Sequence, residues 1–180
     1  MAADVQALAR PIRLLLFDVD GVLTDGTILV HADGRESKQF DIRDGTGIVL
    51  AERGGLRVGL LSARHSAATA ERASQLRIPI VRQGAVDKLE TYRDIIASEG
   101  VTDDQVAYMG DDVLDLPVLA RVGLSAAPAD AMADVLPRVL WISTQRGGHG
   151  AAREMIELVL RAQGRWDELL SQWTVAPSRV

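Results

Sequence analysis

The sequence predicts an α/β fold, a mostly parallel β-sheet with helices on both faces. Two observations carry that expectation. Short apolar runs alternate with longer helical patterns, as strand–helix–strand units require. Acidic residues also follow directly behind two of the runs, at the strand ends where open α/β sheets bind their ligands. With 180 residues and 47% hydrophobic content, the chain can bury a substantial core as one domain over 1–180.

The first strand is expected at 12–17, where Ile12-Arg13-Leu14-Leu15-Leu16-Phe17 runs into Asp18-Val19-Asp20-Gly21. Glycine there permits a tight turn. Thr27-Ile28-Leu29-Val30 and Glu36-Ser37-Lys38-Gln39-Phe40 then flank Ala32-Asp33-Gly34-Arg35. Asp-Gly between strand-like segments predicts a β-hairpin over about 26–41, a flap leaving the sheet after the first acidic pair. A helix at 45–54 leads to a strand at 57–61 that ends in Ser62, and a helix at 66–76 to a strand at 79–82. The next helix, 86–99, carries Lys88 near its start, and Val106-Ala107-Tyr108-Met109 forms a strand running into Gly110-Asp111-Asp112. A helix at 112–121, a strand at 139–142 and a helix at 150–163 closed by Gly164 complete the pattern. In the tail, 164–180, Trp166, Leu169, Leu170 and Trp173 recur at helical spacing. They fit either a helix docked on the same subunit or a lid over a neighbour's site. No separate cap domain fits between the first acidic pair and Ser62, or between Ser62 and Lys88.

Composition removes several classes of chemistry. The absence of cysteine excludes disulfides, thiolate catalysis and zinc-thiolate sites, and three scattered histidines make a poor metal set. A net charge of −5 speaks against non-specific nucleic-acid binding. No apolar run approaches the ~20 residues of a membrane span, and Met1-Ala2-Ala3-Asp4 lacks the basic start of a secretion signal, so no membrane partner and a cytoplasmic location are expected.

Asp18 and Asp20, one residue apart at a strand end, repel unless a cation or a shared proton joins them. Mg²⁺, a hard ion that binds carboxylate and phosphate oxygens, is the expected cofactor. The string Asp18-Val19-Asp20-Gly21-Val22-Leu23-Thr24-Asp25-Gly26 resembles the first motif of the haloacid dehalogenase superfamily of phosphohydrolases. Ser62, Lys88 and Gly110-Asp111-Asp112 fall in the order of that superfamily's remaining three motifs. The resemblance implies a Rossmann-like sheet and a two-step phosphomonoester hydrolysis. Asp18 would be the nucleophile forming an aspartyl-phosphate, and Asp20 the general acid and later base. Mg²⁺ would be held by the Asp18 carboxylate, the Asp20 carbonyl and the Asp111 carboxylate. Lys88 would neutralise charge shared by Asp18 and the phosphoryl group, while the Ser62 hydroxyl and the amides of Val19, Asp20 and Ala63 hold phosphate oxygens. Asp112 and Asp115 would either orient metal waters or Lys88, or simply favour a helix N-terminus.

Further strings narrow the resemblance. Asp41-Ile42-Arg43-Asp44-Gly45-Thr46-Gly47, Arg64 with Arg72, Gln83-Gly84 before Asp87-Lys88, and Gly147-Gly148-His149-Gly150-Ala151-Ala152-Arg153-Glu154 are similar to the 3-deoxy-D-manno-octulosonate 8-phosphate phosphatases, over about 12–166. That family implies a sugar acid phosphate substrate, a homotetramer built through the hairpins, a tail able to reach an adjacent site, and service in lipopolysaccharide biosynthesis. A substrate with both carboxylate and phosphate suits the planar fork of arginine. Arg64, then Arg72 and Arg43, are the expected substrate contacts, whereas His65 and His149 are expected to be structural or solvated. One departure is Ala63, where the family generally has glycine; a required positive φ or a close ligand approach would make alanine shift the pose. Two alternatives remain open at this point, a phosphatase for a nine-carbon keto-acid 9-phosphate and a catalytically silent assembly module. Intact Asp18, Asp20, Lys88 and Asp111 speak against the second.

Overall fold

The apolar run ahead of the first acidic pair forms β1 (Leu14–Phe17), with all four residues buried. A strand buried on both sides needs covers on both, which parallel order with flanking helices supplies. In the computed structural model, which describes residues 4–174, β1 pairs in parallel with β4 (Arg57–Leu61) on one side and β6 (Val106–Met109) on the other. Adding β5 (Ile80–Arg82), β7 (Leu124–Ala127) and β8 (Trp141–Ile142) gives one parallel sheet in the order β5-β4-β1-β6-β7-β8. The chain thus fills one side of β1 before returning to fill the other, and that reversal creates a crevice at the carboxyl ends of the central strands.

Side chains of β1 alternate between two cores. Leu15 and Phe17 join Ile48 of α2 (Ile42–Arg53) and Met155, Ile156 and Val159 of α6 (Ala151–Ala162). Leu14 and Leu16 join Tyr92 and Ile95 of α4 (Lys88–Glu99) and Val118 of α5 (Leu116–Leu119). On the first face also lie α1 (Val5–Ala9), α3 (Ala67–Leu76) and α7 (Trp166–Ser171), through Ala9, Ala73, Trp166 and Leu169. No helix among the described residues is long and apolar enough to cross a membrane. Between β1 and β4 stand only α2 and a small antiparallel pair, β2 (Leu29–Val30) with β3 (Glu36–Ser37).

Several sequence expectations need correction. The hairpin is present, with Gly34 at a φ of +82° in its turn, but its paired segments are two residues each rather than 27–30 and 36–40. The strand β7 was not expected, because Leu124-Ser125-Ala126-Ala127 is small and alanine-rich, without the β-branched residues that mark strands. It is a strand through its parallel pairing with β6 on one side and β8 on the other, with all four residues buried. The helix expected at 112–121 is a one-turn 3₁₀ segment, Val113–Asp115, followed by the short α5 with Pro117 in its first turn. The first and last strands begin later than expected, at Leu14 and Trp141, and α1 was missed.

The tail, read as either docked helix or lid, docks through Trp166 and Leu169, whereas Leu170 and Trp173 are exposed. Trp166 and Leu169 are buried in their own subunit's core, and Arg153 and Arg161 stand 5.1 and 4.9 Å from the Trp166 ring centre. Residues 175–180 of the expected tail lie outside the described residues. Trp166→Ala should therefore lower folding stability by about 3–5 kcal/mol in urea unfolding; a change below about 1 kcal/mol would mean that α7 does not anchor the fold.

Candidate active site

In-register pairing sets the height of the site. Phe17 lies opposite Leu60 on β4 and Met109 on β6, so the three strands end together and Asp18, Ser62 and Gly110-Asp111 emerge side by side. The Asp18 N–H still donates to the Met109 carbonyl at 3.0 Å. Its side chain turns back, Oδ1 accepting from the Val19 N–H at 2.7 Å. Gly21 follows with a φ of +88°, and a Cβ there would lie 2.0 Å from Asp111 Oδ2. Only glycine gives both that backbone conformation and that approach of the two acidic loops.

Lys88 is the first residue of α4, where the positive end of the helix disfavours a cation. Two carboxylates hold it there. Its Nζ is 3.0 Å from Asp18 Oδ2 and 2.6 Å from Asp115 Oδ1, with the Tyr108 hydroxyl at 3.3 Å. All four residues are buried. Burial pulls the Lys88 pKa down, but the facing Asp18 and Asp115 more than offset this and hold it above the usual value.

Asp115 has spent its acceptors. Oδ1 takes Lys88 and the Tyr108 hydroxyl, and Oδ2 takes the N–H groups of Asp111 and Asp112 at 3.0 and 3.2 Å. It therefore fixes both Lys88 and the Asp111 loop. Asp112 is exposed, and its side chain accepts from the Val113 N–H at 2.6 Å. Of the two expected roles for this pair, orientation falls to Asp115 and the helix N-terminus to Asp112.

Oxygens of Asp18, Asp111 and Asp115 lie within 4.8 Å of one another. Burial pushes the Asp18 pKa up to about 7 against the pull of Lys88. Burial, followed by the charges of Asp18 and Asp115, pushes Asp111 up to about 8. Asp111 Oδ1 is buried without a hydrogen-bond partner among the described residues. Since Asp115 is committed elsewhere, Asp18 and Asp111 are the two carboxylates left to face a hard divalent cation, and their oxygens are the donors Mg²⁺ takes.

Around this centre, Ser62 is buried and its Oγ accepts from the Arg64 N–H at 3.3 Å. Among the described residues Arg77 is the only non-glycine with positive φ, so Ala63 stands in ordinary backbone. Asp20 meets two cations: Lys38 Nζ at 2.7 and 2.9 Å from its two oxygens, and Arg64 Nε at 3.8 Å. Lys38 was missed in the sequence. Its one signal is that Glu36 and Lys38 are two apart, the spacing that puts side chains on one face of an extended segment.

Of the three expected substrate arginines, Arg64 alone stands beside the acids. Arg43 pairs with Asp41 at 2.7 Å and donates to the His149 carbonyl at 2.9 Å. Arg72 lies over the Phe40 ring, 6.0 Å from its centre. The strings containing Arg43 and His149 are instead tied to each other. Buried Asp44 accepts from the N–H groups of Gly150 and Arg153 at 3.2 and 2.8 Å, satisfying the start of α6. Gly147 then packs on the first acidic turn so closely that a Cβ would lie 1.8 Å from the Gly21 carbonyl oxygen. These residues brace the site from behind, and His65 and His149 are exposed as expected.

No protein-family model matches the chain. Comparison with curated proteins finds 3-deoxy-D-manno-octulosonate 8-phosphate phosphatase of Escherichia coli (strain B / BL21-DE3), 41% identical over 172 residues, covering 96% of this chain and 92% of that protein. Among solved structures, the phosphatase of that name from Yersinia pestis has a TM-score of 0.90 at 41% identity, covering 93% of this chain and 90% of its own. The Moraxella catarrhalis phosphatase, solved in complex with magnesium ion, phosphate ion and a KDO molecule, has a TM-score of 0.92 at 32% identity, covering 95% and 98%.

The raised carboxyl pKa values make metal-free stability depend on pH. Folded Asp18 and Asp111 keep protons to about 7 and about 8, whereas an unfolded Asp releases its proton near ~4. The stability they contribute is complete below about pH 4 and is lost as pH rises through about 8. Millimolar Mg²⁺ should accordingly raise the melting temperature more at about pH 8 than at about pH 5.5; an equal or reversed increment would contradict this carboxylate environment.

Proposed function

Because the chain belongs to the 3-deoxy-D-manno-octulosonate 8-phosphate phosphatase family of the haloacid dehalogenase superfamily, we propose that it is an Mg²⁺-dependent phosphatase that hydrolyses that sugar acid phosphate. The observation carrying this reading is the buried Lys88 wedged between Asp18 and Asp115 at the strand ends, with Asp111 alongside.

In this reading Asp18 Oδ attacks phosphorus in line, the bond to the sugar O8 oxygen breaks, and Asp20 gives that oxygen its proton. Lys88 lowers the repulsion between the anionic nucleophile and the anionic phosphoryl group. Ser62 and the amides of Val19, Asp20 and Ala63 hold phosphoryl oxygens, and Arg64 faces the sugar acid carboxylate. Water then attacks the phosphorus of the aspartyl-phosphate, Asp20 takes its proton, and Asp18 is released. Mg²⁺, held by Asp18, the Asp20 carbonyl and Asp111, supplies charge neutralisation for the transferring phosphoryl group when bound. Chain 1–180 acts as one domain without a cap, in the cytoplasm, in lipopolysaccharide biosynthesis.

The expected assay result is phosphate release from the eight-carbon substrate with Mg²⁺ and none with chelator. Preference over the nine-carbon 9-phosphate should be roughly 10-fold or more in kcat/KM. Asp18→Asn should abolish release, and Asp20→Asn should lower it by roughly 10²–10⁴-fold. Folded Asp18→Asn protein retaining more than about a tenth of wild-type activity would refute the assignment.

The same reading includes a homotetramer joined through the hairpins. Leu29 and Val30 are 61% and 71% exposed, on a two-stranded element too small to be stable alone. Light scattering at micromolar concentration should give four times the chain mass; a monomer mass would exclude this assembly.

A further inference from the structure

Lys38 lies outside every motif that carries the catalytic groups, yet its side chain is 0% exposed. Burying a lysine sacrifices ammonium hydration and the freedom of four rotatable bonds, so it persists only where partners compensate. The partners here are both carboxylate oxygens of Asp20, at 2.7 and 2.9 Å, and Thr69 Oγ1 of α3 at 3.4 Å. Asp20 Oδ2 accepts the hydrogen bond from this ammonium, and Oδ1 faces the same charge as an ion pair without a hydrogen bond, so Lys38 anchors the carboxylate through one oxygen. Two residues earlier in the same arm, Glu36 holds Arg64 at 3.1 Å, and Arg64 in turn faces Asp20. One edge of the flap therefore holds the acid through Lys38 and, by way of Arg64, Glu36.

We propose that Lys38 is a positioning residue for the reaction, aiming the Asp20 carboxyl at the leaving-group oxygen. The proposal rests on the phosphatase reading and extends it from the sheet to the flap. Proton delivery matters when an alcohol departs and matters little when the leaving group is already a stable anion. A misaimed Asp20 should thus slow sugar phosphates selectively, whereas general structural damage would slow every substrate.

The test is Lys38→Met, assayed as kcat/KM, which reports the step that expels the leaving group. Release from the sugar acid phosphate should fall roughly 10–100-fold, part of the whole general-acid contribution. Release from p-nitrophenyl phosphate should stay within about threefold of wild type, and inhibition by free 3-deoxy-D-manno-octulosonate should keep its constant within about twofold. Equal losses on both substrates, no loss on either, or a parallel weakening of the sugar acid inhibitor would overturn the proposal; the last would make Lys38 a substrate contact. Lys38→Leu, which also lacks a donor, carries the same test if Lys38→Met does not fold. Failure of the wild-type protein to release phosphate from the eight-carbon sugar acid would refute the phosphatase reading alone. The leaving-group comparison would then be read on whichever primary-alcohol phosphate the wild type hydrolyses.

Discussion

A buried ammonium shared by two buried carboxylates is the contact on which the rest of this protein depends. Asp18, Asp111 and Asp115 crowd their oxygens into a sphere of 4.8 Å, an arrangement that repels itself in a low-dielectric interior. Lys88 offsets part of that repulsion by touching Asp18 and Asp115 together. To reach them it must begin α4, against the helix dipole, and Asp115 must sit beneath the Asp111 loop with all its lone pairs engaged. Removing Lys88 would leave uncompensated buried charge, while removing Asp115 would free both Lys88 and the loop.

The sheet exists in its present register for the same reason. Phe17, Leu60 and Met109 lie level near the ends of their strands and bring the three loops together; slipping β6 by one residue would carry Asp111 away and turn every β6 side chain to the opposite face. Behind the acids, Gly147 seats on Gly21, and Asp44 ties α2 to the start of α6.

What could be read in the sequence was what chemistry demands locally. Asp18, Ser62, Lys88 and Asp111 were recognisable because each directly follows a strand or opens a helix in a fixed order, and the uninterrupted apolar runs of β1 and β6 announced buried parallel strands. Less legible was whatever owes its place to tertiary contact. The strand β7 has no β-branched residue to mark it, and Lys38 belongs to no apolar run or motif although its side chain is buried against Asp20. Arg43 and Asp44 sit in a string that resembles a binding motif, yet they close the helix joint some hundred residues later in sequence, Arg43 on His149 and Asp44 on Gly150 and Arg153. Ala63 raised a question of backbone strain that only φ could answer.

The central claim is that the carboxylate held by Lys88 accepts the phosphoryl group. Borohydride reduction of protein quenched during turnover, followed by peptide mass spectrometry, tests it most directly, because an acyl phosphate is reduced to an alcohol and an ordinary carboxylate is not. Reduction confined to position 18, dependent on substrate and absent from Lys88→Ala protein, is the result predicted. Turnover without any reduced aspartate, or reduction at Asp20 or Asp111 instead, would contradict it.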